Sequence, residues 1–137
     1  MSSNILDDSL WENESLHWQC LAFSFYGATI LKKLFKDYGI KGRIQVKKLK
    51  LGSDNNSIVD HYIIVITYGN KKRVIDNIGH YGYYYYVDNY VKKKTMEIIK
   101  YPVIKQFIKN DDCNIKVDID YIINIYFEFI KSDINNI

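Results

Sequence analysis

DHYIIVITYGNKKRVIDNIG, residues 60–79, decides the fold. Two β-branched, apolar runs flank Gly69-Asn70, a two-residue turn with glycine first, which predicts a β-hairpin. With Tyr68 opposite Lys71, the register runs back so that Ile63 faces Asp76 and His61 faces Ile78. Opposed residues share a face, so His61, Ile63, Asp76 and Ile78 project to one side. His61 and Asp76 are then diagonal neighbours, with backbone positions about 7–8 Å apart across the strands and within side-chain reach. A three-residue loop would move Asp76 to the other face and abolish the pair.

Outward from the hairpin, the strand His61–Tyr68 is apolar on both faces, as a central, covered strand is. Its partner is expected over Lys71–Ile78. An earlier strand is expected over Arg43–Leu51. There Ile44 and Val46 alternate with polar residues, whereas Leu49 and Leu51 continue out of phase; a bulge near Lys47-Lys48 would repair this. GSDNNS, 52–57, reads as a loop. Upstream, the spacing predicts a helix from about Leu16 to Tyr38, capped by Asn13 or Ser15. Its inward stripe is Cys20, Phe23, Gly27, Ile30, Leu31, Leu34 and Tyr38, and Gly39 supplies the left-handed stop.

Downstream, HYGYYYYVDNYV, 80–91, is strand-prone through its tyrosines. Helices are expected near Thr95–Lys100 and Val103–Lys109, the second opened by Pro102. A last amphipathic helix over Ile119–Lys131, capped by Asp118, places Ile119, Ile122, Ile123, Tyr126, Phe127 and Ile130 on one face. Helix, antiparallel strands, then helices make an α+β domain. Residues 1–12 read as a loose arm and 13–137 as a single domain.

A chain of 137 residues with two cysteines needs no disulfide framework, and a reducing compartment is the simpler setting. The opening MSSNILDDSLWENES is acidic and polar, unlike a signal peptide. The apolar run YIIVI, 62–66, is too short to span a membrane. A net charge of +3 is mild, and the lysine clusters read as solvated surface; no nucleic-acid partner is expected. The abundance of Ile, Asn, Lys and Tyr reflects an A- and T-rich genome, as in a low-GC bacterium, a phage or a large virus.

The two cysteines differ in setting. Cys20 lies near the positive end of the first helix, which favours thiolate, the reactive form. Cys113 sits in NDDCN, beside two carboxylates that disfavour it. Cys20 is therefore the candidate nucleophile, although a small buried hydrophobe explains a lone cysteine as well. Asp76, inside RVIDNI, needs a partner if its strand is covered, and His61 is available. If the first helix packs near the start of the His61 strand, thiol, imidazole and carboxylate meet in the chain order Cys, His, Asp. His17, His80 and the cysteines offer no paired Cys-x-x-Cys, so no metal is expected.

HWQCLAFSFYGATILKKLFKDYGI, 17–40, together with the hairpin stretch, resembles the transglutaminase-like branch of the papain-like cysteine peptidase superfamily. The resemblance covers about residues 13–80. It implies an N-terminal helix packed on a small antiparallel sheet, followed by C-terminal helices. It further implies a thiol acyl-transfer enzyme, a cysteine peptidase or a transglutaminase-type hydrolase or transferase, that needs no cofactor. Cys20 would attack an acyl carbonyl, His61 would shuttle the proton and Asp76 would orient His61. The Cys20 backbone N–H, with Gln19 or Asn13, would serve the oxyanion, and Trp18, His80 and Tyr83 would line a cleft for a protein or peptide substrate. The setting would be the cytoplasm, or the host cytoplasm for a phage or virus. The alternative is an inactive scaffold of this type that binds or inhibits a protein.

Overall fold

The computed structural model describes residues 14–51, 59–77, 79–90, 93–110 and 119–135; of 14–19, 50–51, 59, 90, 93–95 and 135 it describes the backbone alone. The elements in chain order are α1 (Glu14–Asp37), β1 (Gly42–Leu51), β2 (Val59–Tyr68), β3 (Lys71–Asp76), β4 (Gly79–Gly82), α2 (Tyr83–Tyr90), β5 (Lys93–Ile99), α3 (Tyr101–Lys109) and α4 (Ile119–Ile125). After α4 the chain continues through a π-helical segment, Tyr126–Ile130, into α5 (Lys131–Asn135). The protein is α+β, with one antiparallel sheet of strand order β4-β3-β2-β1-β5.

The hairpin register is the expected one: Tyr68 faces Lys71 and Ile64 faces Ile75. Gly69 makes the tight turn possible, because its φ of 54° lies where a side chain is disfavoured. Strand alternation then sorts β2 between two clusters. Ile64 and Ile66, with Ile75 of β3, join the larger cluster with Phe23, Ala28 and Leu31 of α1 and with Ile122 and Tyr126 of the C-terminal helical segment. Ile63 and Val65, with Val74, face the opposite side and pack with Leu49 and Tyr86. The sheet is thus covered on both faces, as the apolar run of β2 requires.

That double cover also settles the phase change in β1. Ile44 and Val46 enter the α1 cluster and Leu49 the α2 cluster, with the β1–β2 register unbroken from Gly42 to Leu51. No bulge interrupts that ladder; the irregularity lies on the β1–β5 side, between Lys48 and Lys50. The loop 52–57 and the cap Asp118 lie outside the described residues.

Helix α1 is held close to the sheet at Gly27, where an added Cβ would stand 2.8 Å from Ile64 Cδ1 and 3.1 Å from Ile122 Cδ1. The helix ends where expected: the Gly39 amide donates to the Lys36 carbonyl and the Ile40 amide to the Phe35 carbonyl. It is buried on more than one stripe, because the sheet, α3 and α4 enclose it; Ala22, Ser24 and Phe25 are buried along with Cys20 and Phe23, while Tyr38 is exposed.

Two segments differ from expectation. The tyrosine run forms the short strand β4 and then helix α2, whose buried Tyr86 and half-buried Tyr83 and Val87 share one helical face. Residues 93–99 form β5 rather than a helix, because β1 offers them an edge, pairing Val46 with Ile99 and Lys48 with Glu97. The C-terminal segment is tied to the hairpin by Asp133. Its Oδ2 accepts from the Tyr68 hydroxyl at 2.6 Å and from Arg73 Nε at 3.0 Å. No helix among the described residues is long and apolar enough to cross a membrane.

Candidate functional site

Three polar side chains from the sequence reading are sealed together. Cys20 and Asp76 are each 1 % exposed and His61 is 0 % exposed. The diagonal placement of His61 and Asp76 resolves into a hydrogen bond of 3.2 Å between His61 Nε2 and Asp76 Oδ2. Asp76 ends β3, and its carboxylate takes two further donors. The Gly79 amide donates to Oδ1 at 2.9 Å, and the Tyr86 hydroxyl donates to Oδ2 at 3.2 Å. A buried carboxylate with three donors is satisfied and fixed, which holds the imidazole in one orientation.

The thiol reaches the same imidazole. His61 shares the parity of Ile63 and Val65, the α2 side of the sheet, whereas the body of α1 packs on the other side. The β2–β3 ladder, however, runs only as far as the Ile64–Ile75 pair. His61 lies beyond it, paired only with Leu49 of β1, and there the Cys20 sulfur is near enough to the imidazole to favour its charged form. Imidazole and carboxylate are joined by a hydrogen bond, with the buried thiol close by.

The charge state follows from these contacts. Burial alone would push the His61 imidazolium down. The hydrogen bond to Asp76 and then the contact with the Cys20 sulfur outweigh it, and the net effect raises the group to about 9. The buried Tyr86 hydroxyl is pushed well up, first by burial and then by the Asp76 carboxylate beside it. It therefore stays protonated and donates.

Because the folded-state value for His61 lies above the ordinary 6.5, the imidazolium stabilises the fold fully below about pH 6.5. This contribution is lost as pH rises through about 9. Denaturant unfolding at pH 6 and pH 10 should therefore differ by about 3 kcal/mol in favour of the lower pH. Replacing His61 by Gln should flatten that slope.

Other residues named from the sequence lie as follows. His80, on β4, stacks on Phe129 with ring centroids 4.2 Å apart. It is paired with Ile75 and so faces the α1 side, away from Asp76. Burial, and then the nearby Arg73, lower its imidazolium. The Tyr83 ring sits beneath Lys72, whose Nζ is 4.0 Å from the ring centroid, and its hydroxyl points to the Met96 sulfur at 3.8 Å. Trp18 and Gln19 lie in helical backbone with their side chains outside the described residues, as does all of Asn13 and of Cys113. Helix α1 begins at Glu14, so Cys20 is in its second turn. Only the first four N–H groups of a helix lack partners in the helix, which removes the Cys20 amide as an oxyanion donor. The dipole effect also fades beyond the first turn, so His61, rather than the helix end, is what acts on the sulfur.

Tyr86 and the Gly79 amide were missed from sequence. A run of four tyrosines does not single out its fourth member, and an amide carries no residue signature. Among the described residues, no group of three or more His, Cys, Asp or Glu side chains is placed to hold a metal ion. No family model matches the chain, and comparison with curated proteins and with solved structures gives no match.

Proposed function

We propose that the protein is a thiol-dependent acyl-transfer enzyme in which Cys20 is the nucleophile, His61 the proton shuttle and Asp76 the orienting carboxylate. The observation that carries this reading is the buried imidazole of His61, hydrogen-bonded to Asp76 and near enough to the Cys20 sulfur for the sulfur to favour its charged form. Asp76 occupies Nε2, so in this reading the proton exchange with sulfur falls to Nδ1.

In the forward step the thiolate of Cys20, its proton already held by the imidazolium of His61, bonds to the carbonyl carbon of an amide or ester. The carbonyl π pair moves to oxygen, then returns as the bond to the leaving group breaks. His61 gives the proton to that amine or alkoxide. The thioester so formed is attacked by water or a second nucleophile, whose proton passes to His61 as the thiolate is expelled, which restores the starting pair. Asp76 stabilises the imidazolium at each stage, and Tyr86 and Gly79 keep the carboxylate in place. The resemblance to transglutaminase-like peptidases supports this order of roles and a protein or peptide as acyl donor. It also fits a domain working in the cytoplasm, or in a host's cytoplasm.

The test is acetylation by p-nitrophenyl acetate, followed by intact mass and peptide mapping. One acetyl group on Cys20, absent from Cys20→Ala and His61→Ala, is the expected result. Labelling that ignores His61 would contradict it.

A second reading is favoured by one observation, the near-complete burial of all three side chains. An acyl donor reaches the sulfur only after its cover moves. A scaffold that binds a protein, with the polar trio fixing its core, needs no such movement. The acetylation experiment separates the two.

A further inference from the structure

At the other end of the sheet, the ladders align a row across three strands. Arg43 pairs with Thr67 and Thr67 with Lys72, so the three side chains stand on one face. Neighbours in such a row have Cβ atoms about 4.5–5.5 Å apart. A hydroxyl is thus set between two cations. Lys47 lies on the same face, and its ammonium is lowered first by burial, then by repulsion from Lys72 and Arg43. Beside the row is a cavity of about 450 Å³, lined by Lys41, Arg43, Thr67 and Lys72 and by the chain at Gly42 and Gly69.

The ion pairs among the described residues involve Lys33, Lys48, His61 and Arg73, and none of these four cations. Four cations gathered with no ion-paired carboxylate among the described residues repel one another. An anion relieves that repulsion. The guanidinium fork matches two phosphate oxygens, ammonium groups add point charge, and the threonine hydroxyl donates a neutral hydrogen bond. The pocket is open to solvent, and its volume suits a small ligand. With a net charge of +3, the chain lacks the basic excess that a nucleic-acid polymer calls for.

We infer that this cleft binds a small condensed-phosphate ligand through Arg43, Thr67 and Lys72, with Lys41 and Lys47 adding charge. Six residue steps along β2 separate Thr67 from His61, about 20 Å. The site therefore does not rest on the thiol chemistry.

The test is calorimetric titration of the full chain with sodium tripolyphosphate at low and at moderate salt. Saturable binding at one site is expected, weakening as salt rises. Arg43→Ala and Lys72→Ala should each weaken it by about tenfold or more, as loss of a charged hydrogen bond does. Thr67→Val should weaken it by a smaller factor. Lys33→Ala, which removes the same charge from α1, should leave it unchanged, as should Cys20→Ala. Melting curves of each variant, with Arg43→Lys as a charge-conserving control that retains most of the binding, separate lost contacts from lost fold. A nucleoside triphosphate binding as tightly as tripolyphosphate would mean that only the phosphates are read; tighter binding would add recognition of the base. Absence of saturable binding, equal weakening by Lys33→Ala, or tighter binding of an oligothymidylate would overturn the inference.

Discussion

Cys20→Ala is expected to abolish the proposed acyl transfer and to leave the fold intact. A thiol acyl-transfer site loses its covalent step with its nucleophile, and the loss expected in turnover of an activated ester is on the order of 10³-fold or more. Alanine is smaller than cysteine, so the cavity it leaves is that of one sulfur atom. Truncations of this kind in a packed core cost about 1 kcal/mol, well within the reserve of an ordinary domain. Near-UV circular dichroism and melting should therefore stay close to wild type while activity vanishes. Under the scaffold reading the same variant changes neither activity nor biological effect, and substitutions on the exposed tyrosines Tyr84 and Tyr85 of α2 abolish partner binding instead.

Asp76→Ala produces the largest loss of stability. It removes one carboxylate and strands three donors at once: His61 Nε2, the Tyr86 hydroxyl and the Gly79 amide. Breaking a buried charged pair by deleting one partner costs about 3–5 kcal/mol, because the remaining charge is left buried. For a chain of 137 residues the expected fall in Tm is on the order of 10 °C or more. Tyr86→Phe isolates one of these contacts. It keeps the ring among Leu49, Ile63, Val65 and Val74 and removes only the hydroxyl. Its expected cost is about 1.5–3 kcal/mol, the range for a hydrogen bond to a charged group. Urea unfolding of both variants beside wild type provides the comparison. If Asp76→Ala costs no more than Tyr86→Phe, the carboxylate is not the hub of this network.

The site was legible because a two-residue turn fixes a register, and a register fixes faces. Once Gly69-Asn70 is read as the turn, His61 and Asp76 must share a side. Helix α1 was legible as far as its end, since Gly39 interrupts the apolar repeat at Tyr38. Its start was not: it lies at Glu14 rather than Leu16, which sets Cys20 two residues deeper. The double cover of the sheet was legible in β2, whose run is apolar throughout, but not in β1. There the move of Leu49 to the opposite face resembles a bulge when only one face is taken as buried.

The strand β5 and the helix α2 were misread for a shared reason. Seven residues at an edge, Lys93–Ile99, carry no decisive period, and pairing with β1 chose their conformation. Tyrosine at every position from 83 to 86 erases both the two-residue and the 3.6-residue repeats. Burial of Tyr86 against Val74 and Leu49 then selected the helix, against the strand preference of the individual residues.

The most direct measurement is ¹⁵N NMR of the His61 imidazole across pH. Both ring nitrogens should be protonated at pH 7.5, with the titration midpoint near 9. In Cys20→Ala the midpoint should move down, and in Asp76→Asn it should fall further. A His61 ring that is neutral at pH 7.5, or whose midpoint ignores Cys20, would show that sulfur and imidazole do not act together, and the acyl-transfer account would fail.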